Sequence, residues 1–316
     1  MLRKTAFAAT LAAAAMQGSA AAARFEAQDI RFENVVGTVE IVTNNGSQID
    51  VVIRQGKTYV PLRLMQEKGT VRLVADKWRE EETRDCCNAR ILRRADLRHG
   101  RTASTGAPED EAFFADYPTI QVTMPRKGDA AFVDARIRLR MDPLAGALDL
   151  DGCYVYGETG NLGEAVIGLV QGSRLVIGDV AGALEADISG DADLRAGKAA
   201  MANIDIAGPG DVALGEIDGM LDVSIAGSGT VRGARLDGPL TVRIAGSGGV
   251  MIQAGRADRL KATIDGSGSV LFEGTAARPD LRLFGSAQAR FGAVEGRLSR
   301  AGGGEVYVGG VAVPRP

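Results

Sequence analysis

The segment Ile225–Val231, with the sequence IAGSGTV, decides the fold because its pattern returns throughout the second half of the chain. The glycines that follow the apolar residue in the related segments are 18–20 residues apart. The clear examples are Gly190, Gly208, Gly227, Gly246, Gly266 and Gly285, and weaker ones surround Gly152 and Gly172. A single Gly-Ser-Gly is typical of a nucleophile turn or a phosphate loop. Its regular return instead indicates a structural repeat.

Each repeat alternates apolar and polar residues before its glycine. Leu221, Val223 and Ile225, for example, alternate with Asp222 and Ser224, which is the pattern of a strand with one buried face. A unit of this length cannot bury that face alone, so successive units are expected to stack through parallel strands. We therefore predict an all-β fold, a parallel β-solenoid (β-helix) of about eight coils of 18–20 residues.

The repeat also predicts the position of individual columns. These repeat glycines, from Gly152 to Gly285, are expected to form a ladder at a tight corner, where side chains would crowd. Leu150 and Val170 are assigned to the core column that contains Ile225, and Val166 to the column that contains Leu221. The serines that follow the corner are expected on the outside, namely Ser173, Ser228, Ser247, Ser267 and Ser286.

The tandem I-x-G-S-G-x-V units resemble the head GIN domain, a bacterial envelope domain named as an autotransporter adhesin. Phe32–Ile41 and Ile120–Pro125 look like the entry strands of that family. The resemblance covers residues 146–292, and more weakly residues 28–145, and we expect the head without a translocator. It implies a right-handed β-helix with a structural or surface-interaction role, and it carries over no catalytic residue.

The chain divides into four regions. Residues 1–23 have a short basic start, an apolar run and small residues before Arg24, which predicts a secretory signal peptide. Residues 24–145 are expected to be a β-rich entry or capping region, with strands near residues 35–42, 49–53, 58–64 and 70–74. The solenoid is expected over residues 146–301 and a C-terminal cap over residues 302–316. No later segment is apolar enough to predict a membrane span, so we expect an exported protein of the periplasm or the cell surface.

The charge pattern of the chain argues against one class of partner and suggests another. Without the signal peptide, which holds Arg3 and Lys4, the chain has 35 basic residues against 40 acidic ones, and this balance argues against nucleic acid. Residues 77–117 read as a charged insertion that is locally basic at Arg90, Arg93, Arg94 and Arg98. These arginines are candidate contacts for an anionic partner such as envelope polysaccharide, or for another envelope protein. The alternative is a solvated surface balanced by neighbouring acids.

Three cysteines are informative in an oxidising compartment. Cys86 and Cys87 are adjacent and Cys153 is distant, which is not the spacing of a metal site. We predict a disulfide from either Cys86 or Cys87 to Cys153, joining the insertion to the first coil.

No residue set predicts catalysis or a cofactor. The single histidine, His99, lies in the insertion, and no Gly-Lys-Ser/Thr phosphate loop is present. The remaining alternative is a carbohydrate-active or calcium-binding β-helix that uses the acidic coils around residues 185–211. Asp187 and Asp205 share a column there, and Asp191 and Asp211 are the other weak metal candidates. The preferred prediction is a non-enzymatic, adhesin-like structural or interaction module.

Overall fold

A computed structural model describes residues 20–75, 114–170 and 172–314 of the chain, and almost all of their regular structure is β-strand. In chain order, the strands are β1 (Ala21–Phe25), β2 (Asp29–Glu33), β3 (Val36–Asn44), β4 (Ile49–Arg54), β5 (Leu62–Glu67), β6 (Thr70–Ala75), β7 (Thr119–Pro125), β8 (Ala130–Met141), β9 (Leu144–Thr159), β10 (Leu162–Leu169), β11 (Arg174–Ile177), β12 (Val180–Ser189), β13 (Asp193–Ala196), β14 (Ala199–Gly208), β15 (Asp211–Ile217), β16 (Leu221–Gly227), β17 (Thr230–Asp237), β18 (Leu240–Gly246), β19 (Gly249–Ile252), β20 (Gly255–Ala257), β21 (Leu260–Gly266), β22 (Ser269–Ala276), β23 (Pro279–Gly285), β24 (Gln288–Val294), β25 (Ser299–Gly302), β26 (Glu305–Val308) and β27 (Val311–Ala312).

The strands form a β-solenoid with two long walls, and the fold predicted from the repeat is confirmed. We call face 1 the wall made of β2, the first halves of β8 and β9, and then β10, β12, β14, β16, β18, β21, β23 and β25. Face 2 is the wall made of β3, the second halves of β8 and β9, and then β11, β13, β15, β17, β19, β22, β24 and β26. Neighbouring coils pair in parallel, so identical core positions stack; Ile206, Ile225, Ile244 and Ile264 are aligned in this way. The apolar side chains between the walls form one continuous core.

The corner between the two faces contains a ladder of glycines. Gly208, Gly227, Gly246, Gly266 and Gly285 are aligned in successive coils. Gly227 has a φ of 132°, a backbone conformation that side chains rarely adopt. A Cβ atom built there would also lie 2.8 Å from the carbonyl oxygen of Gly208 in the preceding coil. The corner therefore requires glycine for two separate reasons.

The second small residue of the corner lies two positions after the ladder glycine and has a different structural role. It faces inward and is buried in every coil of the column Ser173, Ala192, Gly210, Gly229, Gly248, Gly268, Ala287 and Gly304. A Cβ atom at Gly229 would lie 2.7 Å from Cγ2 of Ile206 in the preceding coil. The column thus makes room for the branched core residues beneath it, a role that the sequence analysis did not assign.

Several core and corner assignments in the earliest coils were wrong. Leu169, and not Val170, is aligned with Ile188, and Leu150 is aligned with Ile167, one core position earlier than expected. Likewise Ala165, and not Val166, is aligned with the core residue Leu184. Ser173 is 2% exposed, and so it lies inside and not outside the corner. The glycines of these coils are displaced as well: Gly152 is aligned with Leu169, and Gly172 lies one residue after the position that is aligned with Gly190, since Leu169–Ile188 and Arg174–Asp193 are aligned with the same offset.

The stacking begins before the boundary at residue 146 that the repeat indicates. β2 and β3 pair in parallel with β8, and β8 pairs with β9. Phe32 and Phe132 stack across β2 and β8, with their ring centroids 4.4 Å apart. At the N-terminal end of the stack, beyond this first coil, some pairs are antiparallel. β4 pairs in this way with β1 and with β7, and β5 pairs with β6. β5 begins at Leu62, later than the stretch 58–64 predicted.

Two segments at the ends of the stack bear on the domain assignments. β1 contains Ala21–Ala23, which the sequence analysis placed in the signal peptide, and it pairs with β4. β27 folds back to pair antiparallel with β26. The predicted C-terminal cap region, 302–316, thus contains the final solenoid strand of face 2 and the strand that covers its edge.

Candidate functional site

A shallow groove of about 430 Å³ crosses the outer surface of face 2 near its N-terminal end. We call it the Tyr156 groove. Its lining residues are Thr38, Glu40, Arg138, Leu139, Arg140, Tyr156, Gly157, Glu158, Arg174 and Val176. Tyr156 and Val176 are 37% and 43% exposed, so the groove offers an apolar surface that is bordered by charged residues.

The groove is assembled by strand register. Thr38, Arg138, Tyr156 and Arg174 are aligned on β3, β8, β9 and β11. Because side chains alternate between the two sides of a strand, Glu40, Arg140, Glu158 and Val176 form a second outward column two residues further along. Gly157 lies between the two columns on β9. Four consecutive coils thus contribute side chains to one site.

Charges in the groove are paired and held in place. The hydrogen bond with the Tyr156 hydroxyl is the main cause that raises the pKa of Arg174 above its ordinary value, and Asp193 adds to it from the next coil. Nη2 of Arg140 lies 3.2 Å from Oε1 of Glu158. Glu40 accepts a hydrogen bond of 2.7 Å from the side-chain amide of Gln121. The groove therefore presents an aromatic ring beside both hydrogen-bond donors and acceptors.

A second groove, of about 390 Å³, lies at the other end of the same face. We call it the Tyr307 groove, and it is lined by Leu271, Glu273, Arg290, Phe291, Gly292, Tyr307, Gly309 and Gly310. The Arg290 guanidinium carbon is 5.0 Å from the Tyr307 ring centroid, within the range of a cation–π interaction. The Tyr307 hydroxyl donates to Glu305 at 2.9 Å, which raises the pKa of Tyr307. Face 2 thus has a tyrosine–arginine pair near each end.

The structure separates the four candidate metal ligands. Asp187 and Asp205 are aligned on face 1, as the repeat predicts, whereas Asp211 is on face 2, where it accepts a hydrogen bond from the Thr230 hydroxyl. Asp191 accepts a hydrogen bond of 2.8 Å from the Gly172 amide. Among the residues that the structure describes, no three histidine, cysteine or carboxylate side chains are grouped so as to hold a metal ion.

The other candidate residues divide between described and undescribed parts of the chain. Arg90, Arg93, Arg94 and Arg98, together with Cys86 and Cys87, lie outside the described residues. Cys153 is buried on β9 at the corner between the two faces. The disulfide therefore stays a prediction, as does the role of the arginines.

Neither groove was predicted from the sequence. Tyr156 could have been singled out from the sequence, because it is an aromatic residue at an outward position, between the core residue Val155 and a glycine. Its partners were not readable, since residues from Thr38 to Val176 meet only through the register of the entry strands.

Comparison with known proteins gives distant structural neighbours. No protein-family model and no curated protein matches the chain. A solved structure of a candidate adhesin from Parabacteroides merdae shares 13% identity and a TM-score of 0.40, covering 92% of this chain and 96% of its own. A candidate lipid-binding protein from Parabacteroides distasonis shares 13% identity and a TM-score of 0.38, over 92% and 97% of the two chains. A candidate adhesin from Bacteroides fragilis shares 11% identity and a TM-score of 0.35, also over 92% and 97%. At these scores the neighbours carry no argument about what this chain binds.

Within the described ranges, no helix has the length and apolar character needed to cross a membrane.

Proposed function

We propose that this chain is a non-enzymatic, adhesin-like binding module of the bacterial cell envelope, exported to the periplasm or the cell surface. Membership of the head GIN domain family is part of the proposal and rests on the I-x-G-S-G-x-V units. The observation that supports a binding role most directly is the Tyr156 groove, where an exposed aromatic ring is flanked by arginine and glutamate side chains. Tyrosine combines an apolar ring with a polar tip, which suits surfaces that recognise amphipathic ligands.

The partner that fits the groove best is a segment of envelope polysaccharide. A sugar ring has an apolar face that packs on an aromatic ring, and its hydroxyl groups both donate and accept hydrogen bonds. Arg138, Arg140 and Arg174 supply donors, and Glu40 and Glu158 supply acceptors. The groove is open to solvent and has no deep cavity, which favours binding to one stretch of a long chain. Another envelope protein is the competing partner.

Binding to immobilised bacterial envelope polysaccharides tests this proposal. We expect wild-type protein to bind at least one polysaccharide of the panel, and Tyr156→Ala to lose about tenfold or more in affinity, as is usual for a central aromatic contact. Tyr59→Ala is the matched control, because Tyr59 is 51% exposed and lies outside both grooves. Its affinity should equal that of wild type.

Three outcomes would count against the proposal. Equal affinity of Tyr156→Ala and wild type would show that the polysaccharide binds outside the Tyr156 groove. Binding to an envelope protein and to no polysaccharide would support the competing partner. The release of new reducing ends from any polysaccharide, abolished by Asp187→Ala, would support the carbohydrate-active alternative.

A further inference from the structure

Face 2 has an outward column of side chains that runs unbroken from the Tyr156 groove to the Tyr307 groove. Val176 lines the first groove and Tyr307 the second. Parallel pairing from β11 to β26 aligns one outward residue of each coil with the next. We call the aligned residues the face 2 column; they are Val176, Arg195, Ala213, Arg232, Met251, Leu271, Arg290 and Tyr307. At about 4.8 Å per coil, the column spans about 34 Å along the solenoid axis.

The face 2 column combines apolar side chains with arginines. Arg195, Arg232 and Arg290 are exposed, and apolar residues separate each of them from the next. Val176 and Met251 are 43% and 41% exposed. Outward positions on a solenoid wall face solvent, so the fold itself does not require apolar side chains there. The column therefore offers apolar contact and positive charge along one line.

The neighbouring outward column, two residues earlier on each strand, adds little negative charge. Its acids at the N-terminal end are engaged by this surface, since Asp193 lies 3.4 Å from Arg174 and Asp211 accepts a hydrogen bond from the next coil. Beyond Asp211 the column continues to β24 with four uncharged residues, namely Thr230, Gly249, Ser269 and Gln288. The two columns together are therefore cationic from β17 to β24.

We propose that an acidic polysaccharide binds lengthwise along face 2, in contact with Tyr156 and Tyr307 and with its carboxylates on Arg195, Arg232 and Arg290. This inference rests on the proposed binding function, to which it adds the chemistry of the polymer, its direction and a second subsite. A uronic acid unit carries a carboxylate directly on a ring that also has an apolar face, which matches an arginine beside an apolar side chain. Guanidinium groups bind carboxylates through two parallel hydrogen bonds.

Polygalacturonate, a polymer longer than the column, is the probe. We expect wild type to bind it and Arg195→Gln/Arg232→Gln to lose about tenfold or more in affinity, because each arginine supplies a charge-assisted hydrogen bond. Arg243→Gln/Arg282→Gln is the matched control: it removes two exposed arginines of face 1 that are likewise separated by one coil. Its affinity should equal that of wild type. Added salt should weaken binding by wild type, since exposed charges are screened.

Length dependence is a second measurement, which does not depend on the arginine variants. Digalacturonate is too short to reach both grooves, whereas a chain that reaches both gains affinity because its second contact is intramolecular. We expect wild type to bind polygalacturonate at least tenfold more tightly than digalacturonate. Tyr307→Ala should reduce this gain and leave binding of digalacturonate at the Tyr156 groove intact.

The outcomes separate this inference from the proposed function. Equal affinity of the two arginine double variants would overturn the inference, as would the absence of polygalacturonate binding by wild type or equal binding to neutral dextran. A loss in Tyr156→Ala without a loss in Arg195→Gln/Arg232→Gln would keep the Tyr156 groove and exclude the column. The converse would support the column and exclude the groove.

Discussion

The backbone N–H of Gly229 donates a hydrogen bond to the carbonyl oxygen of Gly208, 2.9 Å away in the preceding coil. This bond carries the chain around the corner while keeping adjacent coils in contact. It depends on both glycines of the repeat, because Gly227 supplies the turn conformation and Gly229 fits beneath Ile206. The serine between them is exposed. The three residues of one motif therefore differ widely in what substitution should cost.

Gly227→Val should be severely destabilising. The variant places a branched side chain at a φ of 132° and against the Gly208 carbonyl oxygen, and we expect a loss of about 4 kcal/mol or more, in the range of strained backbone plus steric overlap. Ser228→Ala should change stability by about 0.5 kcal/mol or less, as is usual at an exposed position. Urea denaturation followed by circular dichroism measures both. A costly Ser228→Ala beside a mild Gly227→Val would contradict this description of the corner.

Ser173→Ala should cost far more than Ser228→Ala, although both serines directly follow a glycine in the sequence. The buried Ser173 hydroxyl oxygen accepts a hydrogen bond of 3.1 Å from the backbone N–H of Val155. Alanine leaves that buried donor without its partner, and such a loss costs about 1–3 kcal/mol. The same denaturation experiment compares the two variants. Equal stability of Ser173→Ala and wild type would mean that the Val155 amide finds another acceptor.

The fold could be predicted from the sequence because every coil must meet the same physical constraint. Each coil must place small residues at its corner and apolar residues on its inner wall, so the alternation around Gly208 returns around Gly227 and Gly246. The errors at Leu150, Val166, Val170 and Ser173 have an equally physical cause. Gly172, with a φ of 66°, lies at the turn one residue after the position aligned with Gly190, and Gly152 is aligned with the core residue Leu169, so counting from these two glycines places both coils out of register.

Much less of the candidate site than of the fold could be predicted from the sequence. Tyr156 stands in an outward position, but its significance depends on Arg138 and Arg174 from neighbouring coils. The entry coil that supplies Thr38 and Glu40 has no Gly-Ser-Gly motif to fix its register. The column of Asp187 and Asp205 was identified correctly, yet the burial of Asp187 was not, since alternation predicts that an outward residue is solvated.

Acid should destabilise the N-terminal coils through Glu33. Arg72, on the adjacent β6, holds both carboxylate oxygens of Glu33 at 2.9–3.0 Å. This pairing is the main cause that lowers the pKa of Glu33 below its ordinary value of 4.5, and Arg31 adds to it. A carboxyl group with a depressed folded-state pKa stabilises the fold fully above its unfolded pKa. That stabilisation is lost as the pH falls from about 4.5 through the folded-state pKa.

Glu33→Gln should remove this pH dependence. We expect the melting temperature of wild type to fall more steeply below pH 4.5 than that of the variant, so that the two curves converge in acid. Glu67→Gln is the control, because Glu67 is exposed and meets the same arginine at 3.2 Å from the outside. It should keep the wild-type slope. Parallel curves for wild type and Glu33→Gln would show that the Glu33–Arg72 pair does not contribute to acid stability.

The last strand should protect the protein from self-association. β27 pairs antiparallel with β26 and so occupies the hydrogen-bonding edge of the final coil. Arg300 reinforces this arrangement, since its guanidinium donates to the carbonyl oxygens of Val313, at 3.1 Å, and of Gly304. An unpaired strand edge is a template for pairing with another chain. Truncation after Gly310, which removes β27, is therefore expected to give concentration-dependent oligomers in size-exclusion chromatography with light scattering. Truncation after Pro314 keeps β27 and should behave as wild type, and equal behaviour of both truncations would show that the edge of β26 needs no cover.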